Sequence, residues 1–321
     1  MIVTVTPNPS IDATLTVDAI VRGEVARATS SQREAGGKGI NVANVAHKAG
    51  RRTLAIAPCG PHDPFDVAVR SLGIGFAPVE VAGAVRTNTA LTESDGTTTK
   101  INEQGPTLTP AHTGALESLL RDAAADADAV VLAGSLPPGA PRDWYARLVD
   151  IARSAAGSAI VAVDTSDDAL VALGEALPAG APDVMKPNAF ELAQLTGANG
   201  HELEEAAKRG EFAAVVDAAQ ELVAKGVAEV LVTLGGSGAC LVTADGAWAA
   251  TAPAVEVRST VGAGDSSLAG YIMARADGDP FDECLRRAVA YGSAAAALPG
   301  TGLPSPADLD LAGTEVSRIT R

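Results

Sequence analysis

From about residue 110 onward the chain repeats one rhythm. "AVVLAGSLP", "AIVAVDTS", "DVMKPN" and "EVLVTLGGSG" are short apolar runs that close on polar or glycine residues, with helical stretches between them. Runs that are apolar at nearly every position belong to strands covered on both faces, and helical crossovers make successive strands parallel. The pattern therefore predicts an α/β fold with a mostly parallel sheet and helices on both faces. In such sheets a ligand lies outside the carboxyl ends of the strands. Ser135, Asp164, residues 186–188 and residues 233–238 are expected along that edge. "IVTVTPNPSID" adds a strand ending at Pro7, and "TPAHTGALESLLRDAAADA" reads as a helix with Thr109 as its cap and Pro110 at its first position.

Two stretches break the rhythm. "IDATLTVDAIVRGEVARATS" and "VRTNTALTESDGTTTKINEQG" are rich in β-formers and alternate in polarity, and Asp95-Gly96 sits between two Thr-rich runs as a hairpin signal. Together they predict a small separate sheet. The 321 residues suit a large α/β domain with such an appendage, or two domains of about 150 residues. "HELEEAAKRGEF" reads as a charged, solvated helix or loop.

The formal charge of −15 argues against a broad basic surface for nucleic acid or an anionic membrane. A small anionic substrate would need a few lysines and arginines gathered in one cleft. Cys59, Cys240 and Cys284 are scattered without CxxC spacing and read as reduced core residues. His47, His62, His112 and His201 form no ligand pattern. The N-terminus lacks a basic leader segment and meets Pro7 early, and no apolar run approaches about 18 residues, so a cytoplasmic protein is expected.

Four motifs carry chemistry. In "STVGAGDSSLAGY", Gly262, Ala263 and Gly264 leave backbone N–H groups open to a ligand just where a helix can begin, which makes an anion site. Asp265 beside a bound phosphate makes sense as a base that takes a proton from an attacking hydroxyl; otherwise it only caps the helix. In "EAGGKGINVANVAHKAG" Gly39 follows Lys38 where a Walker motif needs Ser or Thr, and Val42 breaks the dinucleotide fingerprint. A sugar or phosphate on its N–H groups, with Asn41 as donor and acceptor, stands beside a plain tight loop. "DVMKPNAFELAQL" puts Asn188 and Glu191 on one opening helix turn, as oxygen ligands for Mg²⁺ or simply as a helix start. "TLGGSGA" after a strand suits close approach of a nucleotide, or a tight turn.

Taken in order, "TPNPSID", "GGKGINVA", "DGTTTKIN", "GSLPPG", "DTS", "KPNAFEL", "TLGGSGA" and "STVGAGDS" resemble the ribokinase-like (PfkB-type) sugar kinases over essentially the whole chain, and most closely the bacterial 1-phosphofructokinases. The resemblance implies a ribokinase-like three-layer core from residues 1–11, 32–85 and 104–321. A β-sheet lid would come from residues 12–31 and 86–103, with two copies pairing through it. It implies ATP and Mg²⁺ as cofactors and fructose 1-phosphate as the sugar phosphorylated to fructose 1,6-bisphosphate.

By the same resemblance Asp265 is the general base, with Gly262, Ala263 and Gly264 as the anion hole. Asp12, Gly37 and Asn41 hold sugar hydroxyls, with Ser135 close by. Arg86 and Lys100 take the sugar's existing phosphate, and Lys38 and Arg27 add to them. Lys186 lies near the nucleotide phosphates, Asn188 and Glu191 organise magnesium through water, and Thr233, Gly235 and Gly238 line the ATP loop. A 6-phosphofructokinase or a tagatose-6-phosphate kinase would use the same machinery on another sugar phosphate. A non-catalytic sugar-phosphate sensor is the alternative from another class. A dehydrogenase is disfavoured because no dinucleotide fingerprint follows a strand.

Overall fold

The strand Ala129–Ala133 shows how the core is built, because all five of its residues are buried. Val130 and Leu132 join one apolar cluster with Leu116, Leu120, Trp144 and Leu148. Val131, on the opposite face, joins another with Val42, Val45, Leu268, Ile272 and Leu285. Burial on both faces accounts for the continuous apolar run in the sequence. The computed structural model describes residues 1–320. No helix among them is long and apolar enough to cross a membrane.

The large sheet has ten strands. From one edge they run Gly75–Glu80, Thr53–Cys59, Ile2–Val5, Ala129–Ala133, Ile160–Asp164, Val184–Met185 and Glu229–Thr233, all parallel. Ala239–Thr243, Gly246–Thr251 and Glu315–Ile319 then close the other edge in antiparallel pairing. The chain starts at Ile2–Val5, builds to one side, then returns to build the other side from Ala129–Ala133. The order reverses there, and the crevice at the carboxyl ends of these strands is where such a sheet takes its ligand.

A second sheet of four strands, in the order Ser30–Gly36, Ser10–Val17, Arg86–Glu93 and Thr98–Asn102, stands as a lid over that crevice. The Asp95-Gly96 hairpin forms as the sequence predicts: Gly96 has φ +90°, and Asp95 accepts from the Thr97 amide. The lid strands begin before residue 12 and run past residue 31, because Ser10 pairs with both Gly36 and Arg86 at the border with the core.

At the opposite end of the sheet, Glu229 is buried and accepts from Tyr271 Oη at 2.6 Å and from Arg275 Nη2 at 2.7 Å. Both partners belong to the helix Ala263–Asp277, so this buried charge ties that helix to the sheet while its first turn faces the crevice. Removing one member of such a pair leaves the other charge desolvated. Glu229→Ala is expected to lower unfolding free energy by on the order of 3 kcal/mol in denaturant titration. A loss below about 1 kcal/mol would mean that the pair does not anchor the helix.

Candidate active site

Three strands end at the crevice in Ala133, Asp164 and Met185, and Ser135, Asp164 and Lys186 stand at these ends. Asp164 is 1% exposed and lies between two ammonium groups, with Lys38 Nζ 2.7 Å from Oδ1 and Lys186 Nζ 3.0 Å from Oδ2. Burial pushes the Asp164 carboxyl up, and the two lysines outweigh it, leaving its pKa below the ordinary value. For Lys38, burial works against the charge, but Asp164, Glu191 and Asp265 together raise its pKa. Lys38 therefore enters the crevice as a cation.

The helix Ala263–Asp277 begins beside them. Gly262, with φ +76°, turns the chain into the helix and offers no side chain to cap the first-turn N–H groups. A Cβ on Gly264 would lie 3.4 Å from Lys186 Nζ, so the ammonium sits directly over that first turn. Asp265 is buried, and its Oδ2 accepts from Asn41 Nδ2 at 2.7 Å. Burial, reinforced by the negative charge of Asp164, pushes its pKa up to about 6. A carboxylate raised to that range and set beside an anion-binding helix start is suited to proton abstraction.

The helix Ala189–Thr196 opens with a reciprocal cap. Asn188 Oδ1 accepts from the amides of Phe190 and Glu191 at 2.9 Å, while Glu191 Oε2 accepts from the Asn188 amide at 2.8 Å. Both side chains thus serve as a helix start, and one oxygen of Glu191 is left over. Burial raises the pKa of Glu191. The Thr233 amide donates to the Pro187 carbonyl, and Gly235 (φ +56°) and Gly238 (φ +94°) flank the short turn beyond it. This turn borders a cleft of about 500 Å³ lined also by Lys208, Phe212 and Thr251.

On the lid side, Asp12 Oδ1 accepts from Ser10 Oγ at 2.8 Å and from Asn88 Nδ2 at 3.1 Å. A Cβ on Gly36 would lie 2.1 Å from Asp12 Oδ2, so this glycine makes room for the carboxylate. Asp12, Asn88 and Lys100 line a cleft of about 750 Å³ that continues to residues 257–261. Arg86 is half-buried and donates from Nη1 to the Glu103 carbonyl at 3.2 Å. Burial lowers its pKa, with Asp12 opposing.

The fold thus gathers Lys38, Asn41, Lys186, Glu191 and Asp265 around Asp164, and Asp12 and Lys100 along the lid cleft. Gly37 precedes the helix Lys38–Lys48, and Ser135 receives a hydrogen bond from Asn8 at the lid border. Arg27 is exposed beyond the Thr16 end of the lid, whereas Arg86 pairs at Ser10. Six residues of strand span about 20 Å, so a single chain does not bring Arg27 to Arg86. Three polar residues of this arrangement were given no role from sequence: Asp164, Asn88 and Asn8. An acid ending an apolar strand, as in "AVDTS", was the one available signal.

A lidded crevice with a buried acid, two lysines and an open helix start is the apparatus of an ATP-dependent sugar kinase. Residues 5–308 match the pfkB family of carbohydrate kinases, and the chain belongs to that family. Among curated relatives, it is 38% identical over 293 residues to a 1-phosphofructokinase of Xanthomonas campestris, covering 90% of this chain and 89% of the relative. It is 35% identical over 311 residues to the 1-phosphofructokinase of Escherichia coli, covering 94% and 93%. Among solved structures, phosphofructokinase-2 of Escherichia coli in complex with potassium superposes with a TM-score of 0.85 at 29% identity over 96% of each chain.

The raised pKa of Asp265 has a sign that can be tested. A carboxyl whose folded pKa lies above its unfolded one contributes stability while protonated, and loses it as pH rises from about 4 through about 6. Asp265→Asn keeps an acceptor for Asn41 and removes the buried charge. The variant is expected to be more stable than the parent by roughly 1–3 kcal/mol at pH 7.5, with the gap closing below pH 4. Equal stability at both pH values would show that Asp265 carries no such penalty.

Proposed function

We propose that the protein transfers the γ-phosphoryl group of ATP to the 6-hydroxyl of fructose 1-phosphate, giving fructose 1,6-bisphosphate and ADP. The observation that carries this reading is Asp265, a buried carboxylate oriented by Asn41 within the first turn of an uncapped helix that Lys186 overlies. The 1-phosphofructokinases at 38% and 35% identity support the choice of sugar.

In this scheme Asp265 takes the proton of the 6-hydroxyl as that oxygen attacks the phosphorus. The bond to the ADP oxygen breaks, and the N–H groups of Gly262, Ala263 and Gly264 hold the oxygens of the phosphoryl in transfer. The loose transition state needs positioning and charge neutralisation more than covalent help, and Lys38 and Lys186 supply the charge. Asp12 Oδ2, Asn41 and the Gly37 backbone orient the sugar hydroxyls, Ser135 lies beside them, and Arg86 and Lys100 take the 1-phosphate. Thr233, Gly235 and Gly238 form the nucleotide loop.

Among the described residues no group of three or more acidic, His or Cys side chains could cage a metal. The remaining oxygen of Glu191 suits the water shell of Mg²⁺, which keeps most of its waters, while Asn188, its Oδ1 taken by two amides, would hold Glu191 in place. When bound, Mg²⁺ neutralises charge on the ATP phosphates. The lid strands Ser30–Gly36 and Thr98–Asn102 are largely exposed, as are Val21, Val25 and Ile101, which supports a homodimer joined through the lids; Arg27 would then approach the partner's cleft. Three buried free cysteines agree with a cytoplasmic enzyme.

The test is ADP release with ATP, Mg²⁺ and, separately, fructose 1-phosphate, fructose 6-phosphate, tagatose 6-phosphate and fructose. Fructose 1-phosphate is expected to give the highest kcat/KM. A better 6-phosphate would keep the chemistry and overturn the sugar. Asp265→Asn should lower kcat about 10²- to 10⁴-fold without raising the KM for ATP.

The base works only when ionised, so kcat/KM is expected to fall as pH drops through about 6. In Asp164→Asn that limb should move to lower pH, because a like charge beside Asp265 is gone. An acid limb that stays in place would separate the titrating group from Asp265.

A further inference from the structure

One buried side chain touches the lid connection, the sugar pocket and the core at once, and the scheme above gives it no part. Asn8 is 3% exposed and lies between Pro7 and Pro9, where the chain leaves the core strand Ile2–Val5 for the lid strand Ser10–Val17. Its Nδ2 donates at 3.1 Å to the carbonyl of Gln104, on the return path from the lid strand Thr98–Asn102. The same Nδ2 donates at 3.2 Å to Ser135 Oγ, just past the core strand Ala129–Ala133. A backbone carbonyl only accepts, so Gln104 fixes which way round the amide sits.

Asn8 Oδ1 therefore points elsewhere, toward Gly105, whose φ is +89°. A Cβ on Gly105 would lie 2.3 Å from Asn8 Oδ1 and 3.6 Å from Arg86 Cδ. Asn8 and Arg86 thus meet across a bare α-carbon that no other residue could replace without separating them. Asn8 Oδ1 and Arg86 Nε are both buried, and neither has a hydrogen-bond partner among the described residues. One is an acceptor and the other a donor. Arg86 is also held by the carbonyl of Glu103, one residue before Gln104, so a single stretch of the return path carries both side chains.

We propose that Asn8 is a positioning residue for the sugar phosphate. When substrate is bound and the lid settles, Arg86 Nε donates to Asn8 Oδ1, which satisfies the two orphaned groups together and leaves the terminal guanidinium nitrogens to face the phosphate. The same amide keeps Ser135 and the lid's return path in register with that cation. The inference rests on the assignment of Arg86 to the sugar's phosphate made above.

The test is steady-state kinetics of the full chain with fructose 1-phosphate, or the best sugar phosphate of the panel, for Asn8→Ala, Asn8→Asp, Arg86→Lys, Arg86→Ala and the double variant Asn8→Ala/Arg86→Lys. Asn8→Ala is expected to raise the KM for the sugar phosphate about 10-fold, leave the KM for ATP unchanged, and increase the ATP hydrolysed per sugar phosphorylated. Asn8→Asp keeps an acceptor for Arg86 but has no N–H for the Gln104 carbonyl, so its KM should rise less than that of Asn8→Ala without returning to the parent value. Arg86→Lys keeps the charge but lacks Nε, so its effect and that of Asn8→Ala should not multiply in the double variant.

Parental KM and coupling in folded Asn8→Ala, or full multiplication in the double variant, overturns the inference. If Asn8→Ala does not fold, a parental KM in Arg86→Lys overturns it equally, because that variant keeps the charge and lacks Nε, and a rise of about 10-fold supports it. A parent enzyme that phosphorylates no sugar phosphate would overturn the proposed function instead, and a parental KM in Arg86→Ala would overturn the assignment of Arg86.

Discussion

The ion triad of Lys38, Asp164 and Lys186 is the constraint on which the crevice depends. Two ammonium groups drawn into a partly desolvated cleft repel each other, and a buried carboxylate without a partner is costly. Asp164 resolves both difficulties by taking one lysine on each oxygen. Its place at the end of the strand Ile160–Asp164 fixes the cations relative to the sheet rather than to a mobile loop. The helix of Asp265 is fixed independently, by Glu229 at the far end of the sheet. Both lysines and the first turn that carries Asp265 are therefore positioned by the same rigid layer.

The triad also explains why Asp265 is not an ordinary carboxylate. Its elevation has burial as the first cause and the charge of Asp164 as the second, with Lys38, Asn41 and Lys186 opposing. The lysines' attraction for Asp265 is weakened because they are already committed to Asp164. An arriving anion competes for the same ammonium groups and adds negative charge near Asp265, which favours a proton on that carboxyl still further. In the proposed scheme, proton transfer from the acceptor hydroxyl is thereby coupled to occupation of the phosphoryl site by electrostatics alone.

Much of this was legible in the sequence, and the limits have physical reasons. The parallel core showed in its apolar runs because strands buried on both faces must be apolar on both. The lid showed in its alternation and in Asp95-Gly96. The antiparallel edge was missed: "ACLVT" and "GAWAAT" are also short apolar runs, and only the Asp245-Gly246 turn between them distinguishes a hairpin from a crossover. The glycine motif of Asp265 could be identified because its chemistry is local. The partners of Asp164 and Asn8 could not, since Lys38 and Ser135 lie 126 and 127 residues from them and no spacing rule connects them. Lys38 shows the same limit, because nothing in "GGKGIN" says that its ammonium reaches the end of a strand more than a hundred residues later.

The net charge of −15 bears on how an anionic substrate reaches such a site. At physiological salt the field of distant surface charges is screened within about 8 Å, so the overall sign sets encounter less than the groups lining the crevice do. Lys100 stands exposed on the lid strand, but three of those groups are not free cations: Lys38 and Lys186 are paired with Asp164, and Arg86 is bound to a backbone carbonyl and half-buried. Their positive charge is felt at short range, once a phosphate has entered and displaced water. Capture then depends on geometric fit more than on long-range steering. In the proposed scheme such a site discriminates by where the phosphates of its ligand fall relative to fixed donors, which places the burden of specificity on the lid border where Asp12, Asn88 and Arg86 are held in register.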